Sequence, residues 1–190
     1  MRHIFLSKHC LVVLAASLFS CSPSSPPFLS ATQPPDGSSF CNQYTCKPLA
    51  PLMKEEGQNR ITIREYTLSG TDAPRLTSSH FDFRSKDGSE EFSATLVWPG
   101  KEMRLSSSAQ KTVDDFMNSA IGSSQGIDLS KSCITFEKAV EVYTSQGLSL
   151  SDQMFSIIGS DKKTYKVSCL LYANSPSPSM SFTISIANKL

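Results

Sequence analysis

Residues 180–187 read Met-Ser-Phe-Thr-Ile-Ser-Ile-Ala, so apolar and small polar side chains alternate along most of this stretch. Successive residues of a β-strand point to opposite faces, and the alternation therefore predicts a strand with one buried and one wet face. An antiparallel sheet that is covered on a single side produces this pattern. The segment therefore indicates a fold built around such a sheet.

Other stretches predict the neighbouring strands. Residues 60–68 alternate and are rich in β-branched side chains, which favours a strand. Asp87-Gly88 predicts a hairpin turn, because both residues tolerate positive φ, between strands at 80–84 and 91–98. Three further strands are predicted at 102–105, 153–158 and 164–173.

The hydrophobic period changes in the middle of the chain. Apolar residues within 113–121 recur at i, i+3, i+4, i+7 and i+8, which predicts an amphipathic helix. Ser107 and Gln110 fit a capping box at its start, and Gly122 fits its end. A second helix is predicted over 136–146. Strands, then two helices, then strands predict an α+β fold, with an antiparallel sheet and the two helices packed on one face; the strand order stays open.

The charge of the chain argues against nucleic-acid binding. The chain has 18 Lys and Arg residues against 17 Asp and Glu residues, a formal net charge of +1. A near-neutral chain without a basic block gives no electrostatic reason to bind nucleic acid. No nucleic-acid partner is therefore expected.

The N-terminus has the three parts of an export signal. The polar, basic part contains Arg2, His3, Lys8 and His9, residues 10–19 are mainly apolar, and Ser20 is small. The apolar run is about half of the ~20 residues that a spanning helix requires. Residues 1–20 are therefore predicted to be a cleaved signal peptide.

The end of this signal carries a motif. Leu18-Phe19-Ser20-Cys21 resembles the lipobox of bacterial type II lipoproteins. The resemblance covers residues 1–21 and implies an S-diacylglycerol and an N-palmitoyl group on Cys21, hence attachment to an envelope membrane. Ser22 is not acidic, which favours the outer membrane over the inner one. The alternative is an ordinary cut at Ala15-Ala16-Ser17, which would release a secreted soluble protein.

The segment after Cys21 is rich in serine and proline. Eleven of the 18 residues in 22–39 are Ser or Pro, a composition that disfavours a packed core. Residues 21–39 are therefore predicted to be the lipidated cysteine and its tether. A single domain is expected over 40–190, with an irregular entry at 40–58 because Pro48 and Pro51 interrupt helices.

Four cysteines remain after Cys21: Cys41, Cys46, Cys133 and Cys169. An even number in an exported chain predicts disulfides, although three pairings are possible. We favour Cys41–Cys46 and Cys133–Cys169. The alternative use of Cys41-x4-Cys46 is metal binding, but the spacing is unusual for zinc, and no metal or other cofactor is predicted.

Catalytic motifs are sparse. His80 is the single histidine outside the signal peptide, so a Ser-His-Asp arrangement would have to use the stretch 77–82. No Gly-x-Ser-x-Gly motif is present. A hydrolase is therefore kept only as an alternative, and no catalytic residue is predicted.

A binding or structural module on the envelope surface is the favoured function. Such a module would recognise another envelope protein, peptidoglycan or a host molecule. Aromatic side chains on an exposed strand face would supply contact area. The candidates are Tyr66, Trp98 and Tyr172.

Overall fold

The computed structural model describes residues 26–56, 59–69, 74–83, 88–99, 107–132, 150–172 and 179–189. Its strands are β1 (Lys47–Pro48), β2 (Leu52–Glu56), β3 (Asn59–Thr67), β4 (Arg75–Phe83), β5 (Ser89–Pro99), β6 (Leu150–Ile158), β7 (Thr164–Tyr172) and β8 (Ser179–Lys189). Its helices are α1 (Ser39–Tyr44), α2 (Ser107–Ile121) and α3 (Leu129–Ser132). The α+β class is confirmed. Within these ranges no helix has both the length and the apolar content needed to cross a membrane.

All eight strands form one antiparallel sheet in the order β1-β3-β4-β5-β8-β7-β6, with β2 also paired to β3. Six of these strands form two three-stranded meanders, β3–β5 and β6–β8, and β1 and β2 both pair with β3 at one edge. Their last strands, β5 and β8, pair over their whole length at the centre. The predicted strands at 60–68, 80–84, 91–98, 153–158, 164–173 and 180–187 are confirmed within a few residues; the one predicted at 102–105 lies outside the described residues.

The alternating pattern of β8 works as predicted on one side. Met180, Phe182, Ile184 and Ile186 are buried in the hydrophobic core. The Phe116 ring of α2 meets the Phe182 ring edge-on with centroids 6.4 Å apart. On the opposite face of β8 the Thr183 hydroxyl lies 2.9 Å from that of Thr95, but Ser181 is only 5% exposed, so the predicted wet face is wrong at that residue.

Both ends of α2 depend on local chemistry. Gly122 ends the helix as predicted, with φ +71° and an amide that donates to Asn118. The predicted capping box is wrong, because the Gln110 side chain bonds to other groups. The Gln110 side chain instead donates to the Ile127 carbonyl and accepts from the Leu129 amide, 2.6 and 2.9 Å away. The side-chain amide of Gln110 therefore fixes the segment that follows the helix. The predicted helix at 136–146 lies outside the described residues.

The packed part of the chain begins before residue 40, where the composition predicts the domain to start. Phe28 and Leu29 are core residues, 3% and 2% exposed. Their amides donate to the carbonyls of Ser119 and Ala120 in the last turn of α2, at 3.0 and 2.9 Å. This segment supplies donors to helix carbonyls that have no partner within the helix. Two apolar residues among many serines and prolines are enough to dock it.

The entry to the domain is more regular than expected. Ser38 caps α1 by accepting from the Cys41 amide, and Thr45 ends the helix in a left-handed conformation with φ 50°. The helix ends before Pro48, so the proline does not interrupt it. The predicted Cys41–Cys46 disulfide is confirmed. Cys169 is disulfide-bonded as well, and because its partner lies outside the described residues, the pairing with Cys133 stays a prediction.

A polar cluster joins α1 to α2. The Asp115 carboxylate accepts from the Tyr44 hydroxyl and from the Gln43 amide, both at 2.8 Å, and pairs with Lys111. Burial opposes ionisation of Asp115, but the bonds from Lys111, Tyr44 and Gln43 outweigh it and lower its pKa. This cluster fixes α1 in place. Asp115 therefore has a structural role here.

A candidate ligand cleft

A small cleft opens between the N-terminal segment and the first meander. Its cavity volume is about 130 Å³. Leu29 and Pro34 form one wall, and the floor carries side chains of β3, β4 and β5. We call it the His80 cleft; the residues that define it are Leu29, Pro34, Thr62, Arg64, Ser78, His80 and Phe92.

The sheet register explains why these floor residues meet. Thr62 pairs with His80, and His80 pairs with Phe92 across β3, β4 and β5. Two residues farther along β3, Arg64 pairs with Ser78. Side chains two apart share a face, so this row continues the face that carries the buried Leu76 of β4. The apolar core thus changes into a polar floor along the same face.

His80 is half-buried and held by its neighbours. Its ring stacks on Phe92 with centroids 4.1 Å apart and planes 10° from parallel. The Nε2 atom lies 3.6 Å from a Glu90 carboxylate oxygen, too far for a good hydrogen bond. Among the described residues this buried nitrogen has no hydrogen-bond partner. An unsatisfied buried polar atom is costly, but Nε2 faces Glu90 and is shielded from the cavity, so the stacked ring of His80 is the part that forms the cleft floor.

The alternative of a hydrolase needs a serine oxygen at a ring nitrogen. His80 and Asp82 do share a strand face, as expected, and Asp82 is only 3% exposed. However, Nε2 faces Glu90 of β5, and no serine hydrogen-bonds to it. The geometry therefore gives the hydrolase alternative no added support.

Arg64 is the residue that sequence reasoning missed. It lies on β3 in the half-buried row of the cleft. Among the described residues it forms no ion pair and no hydrogen bond, unlike Arg60, which pairs with Glu55 at 3.2 Å. A signal was present, since Arg64 occupies an alternate position of a strand otherwise rich in isoleucine and threonine. The wall at 29–34 that makes it part of a cleft could not be foreseen.

The aromatic candidates for an exposed contact face are wrong for two of three residues. Tyr66 is 1% exposed and Trp98 is 6% exposed. The Tyr66 hydroxyl donates to Asp36 at 2.9 Å. Burial, together with that carboxylate, raises the pKa of Tyr66 well above its usual value. Both residues are structural; the side chain of Tyr172 lies outside the described part of the chain.

The cysteine-based metal alternative is excluded. Cys41 and Cys46 are joined in a disulfide and are not thiolate ligands. Across the described ranges, no group of three or more His, Cys, Asp or Glu side chains is placed to hold a metal ion.

The chain was compared with family models, with curated proteins and with solved structures. None of them matches. A fold alone does not define a function, so the chemistry of the cleft is the basis on which a function can be proposed.

Proposed function

We propose that the chain is a lipid-anchored envelope lipoprotein whose domain binds a ligand through a carboxylate or phosphate group in the His80 cleft. The observation that carries the binding proposal is the guanidinium of Arg64 in the cleft, which has no ion-pair or hydrogen-bond partner among the described residues. The anchor proposal is supported by the lipobox resemblance at 18–21. A lipid on Cys21 would attach the domain to an envelope membrane, and Ser22, which is not acidic, favours the outer membrane.

The size of the cleft limits what can enter. Sites for whole small molecules usually measure ~300–1,000 Å³, whereas this cavity is about 130 Å³. It can accept an end group such as a carboxylate and leave the rest of the ligand outside. A polymer terminus or a headgroup fits this limit, whereas a large cofactor does not.

The polar groups define the chemistry of that end group. Arg64 as a residue is half-buried, and a charged group that loses water is stabilised when it gains an anion as a partner. The planar fork of its guanidinium matches carboxylate and phosphate oxygens. Ser78, directly opposite Arg64, and Thr62, beside it on β3, can donate hydroxyl hydrogen bonds to the same oxygens. An anionic end group would therefore satisfy several unpaired groups at once.

The remaining cysteines are consistent with a lipid on Cys21. Cys41 and Cys46 are paired with each other. Cys169 is buried at 2% exposure and disulfide-bonded. With the leader removed and Cys21 acylated, Cys133 would be the remaining partner for Cys169. Such a bond would bring the predicted helix at 136–146 to the face covered by α2, and we propose this arrangement for the fold.

Metabolic labelling tests the anchor. Cells expressing the chain with an alkyne-bearing fatty acid should yield a labelled mature protein in the membrane fraction. Cys21→Ala should remove the label and the membrane attachment completely, because no other residue provides the acylated N-terminal thioether. Cys10→Ala, which removes a cysteine of the predicted leader, is the matched control and should keep both. A label that persists in Cys21→Ala contradicts the lipobox.

Ligand titration tests the cleft. The mature protein would have one histidine, so the His80 ring protons are readable by NMR without ambiguity. A short peptide with a free C-terminal carboxylate should shift them, and its C-terminal amide should shift them less; inorganic phosphate is the second probe. Arg64→Gln should weaken binding about tenfold or more, since hydrogen bonds to charged groups contribute ~1.5–3 kcal/mol. Arg75→Gln, an exposed arginine outside the cleft, is the control, and equal losses in both variants contradict the site.

A further inference from the structure

We propose that one end of the domain lies against the lipid headgroups: the surface formed by residues 158–163 and 122–125, here called the anchor-side surface. The proposal rests on the lipid anchor at Cys21. The observation behind it is the close packing of Pro27 and Ser160 around Gly122, beside the point where the described chain begins.

The short connection to Cys21 sets the distance. Five peptide units separate Cys21 from Pro26, and even a fully extended chain of that length spans only about 17 Å. Phe28 and Leu29 are fixed to the end of α2 by backbone hydrogen bonds. The end of the domain around them must therefore stay near the membrane that holds the lipid.

The turn between β6 and β7 belongs to this same end. The Ser160 amide and hydroxyl both donate to the Ile121 carbonyl, at 2.9 and 3.1 Å. The Tyr165 hydroxyl donates to Asp161 at 2.8 Å and lies 2.9 Å from the Ser30 hydroxyl. The turn and the N-terminal segment are therefore one packed unit.

The exposed groups of this surface suit a headgroup layer. Lys162 and Lys163 are both exposed, whereas the nearby Asp161 carboxylate accepts from Tyr165 and lies 3.9 Å from the Lys163 ammonium, so the turn carries a net charge of +1. Lysines close to an anionic membrane surface are attracted to it. Ile158, the last residue of β6, is 54% exposed and adds an apolar group of the kind that interfaces accept. The opposite end of the sheet is farther away: Arg75 lies in the register row of Leu170, six residues or about 20 Å along β7 from Thr164.

Lipid quenching of tryptophan fluorescence tests the orientation. In the mature lipidated protein, Trp98→Phe first removes the single tryptophan. This variant is the background for the two reporters and is placed in vesicles that contain brominated phosphatidylglycerol. Thr164→Trp reports on the anchor-side surface, and Arg75→Trp is the matched control. Both residues are exposed first residues of strands on the same sheet face. Quenching is expected to be several-fold stronger at position 164 than at position 75.

The outcomes separate the two proposals. Equal quenching at both positions, or stronger quenching at 75, in vesicle-bound protein overturns the orientation and leaves the anchor intact. A chain that fails to float with the vesicles and lacks the mass of the acyl groups contradicts the anchor itself, and the orientation with it. Both variants should first show the same unfolding midpoint, so that a difference in quenching reflects position.

Discussion

Replacing Phe28 with alanine is expected to lower the free energy of unfolding by about 3–5 kcal/mol, the usual range for a large aromatic side chain removed from a core. Phe28 is 3% exposed, and its ring lies 6.0 Å from that of Phe116. The cost arises because the lost ring leaves a cavity beside α2. Urea unfolding of the mature protein in detergent measures it.

A matched variant makes this result decisive. Leu49→Ala removes an apolar side chain that is 50% exposed, and surface changes of this kind usually stay within ~0.5 kcal/mol. If residues 26–39 were only a tether, the two variants would have the same unfolding midpoint. A Phe28→Ala protein as stable as Leu49→Ala would therefore contradict the docked N-terminal segment.

Gly122→Ala is expected to cost about 2–5 kcal/mol, from two causes that can be separated. The residue has φ +71°, and a left-handed conformation costs an alanine ~1–2 kcal/mol. In addition, a Cβ atom there would lie 2.2 Å from the Ser160 hydroxyl oxygen and 3.1 Å from Pro27, and such crowding costs ~1–3 kcal/mol.

Gly126→Ala isolates the first cause. Its φ is +62°, but apart from its chain neighbours no atom of the described residues lies within 4 Å of the added Cβ, so the conformational cost of ~1–2 kcal/mol is the one expected. The difference between the two variants, measured by urea unfolding, is the cost of pushing the N-terminal segment and the β6–β7 turn apart. If the variants are equally stable, the close packing around Gly122 is contradicted.

The sequence pattern predicts correctly those elements that depend on residues close together in the chain. The alternation in β8 and the 3.6-residue period of α2 each reflect one buried face, and both elements are confirmed with the glycine that ends the helix. The spacing of Cys41 and Cys46 likewise fits within one small loop. The order of the strands depends on pairings between distant residues, such as β5 with β8, and carries no local signal.

The errors have a common physical origin. Composition averaged over 22–39 concealed Phe28 and Leu29, whose burial depends on carbonyl groups of a helix some 90 residues later. The pattern around Tyr66 and Trp98 predicts a surface contact face wrongly, because the alternation along a strand does not reveal what covers that strand. His80 could be singled out from its rarity, but its position in a cleft with Arg64 could not, since one wall of that cleft is the segment taken for a tether.

The bond between Ser30 and Tyr165 joins residues 135 positions apart, and the central β5–β8 pair joins Thr95 to Thr183 across 88 positions. Contacts between such distant residues form slowly, because long loops must close first. If the chain is exported from its N-terminus, as proposed, Phe28 and Leu29 would cross the membrane long before α2, on which they dock. A chain stalled midway would then keep these two apolar residues exposed to proteases and chaperones.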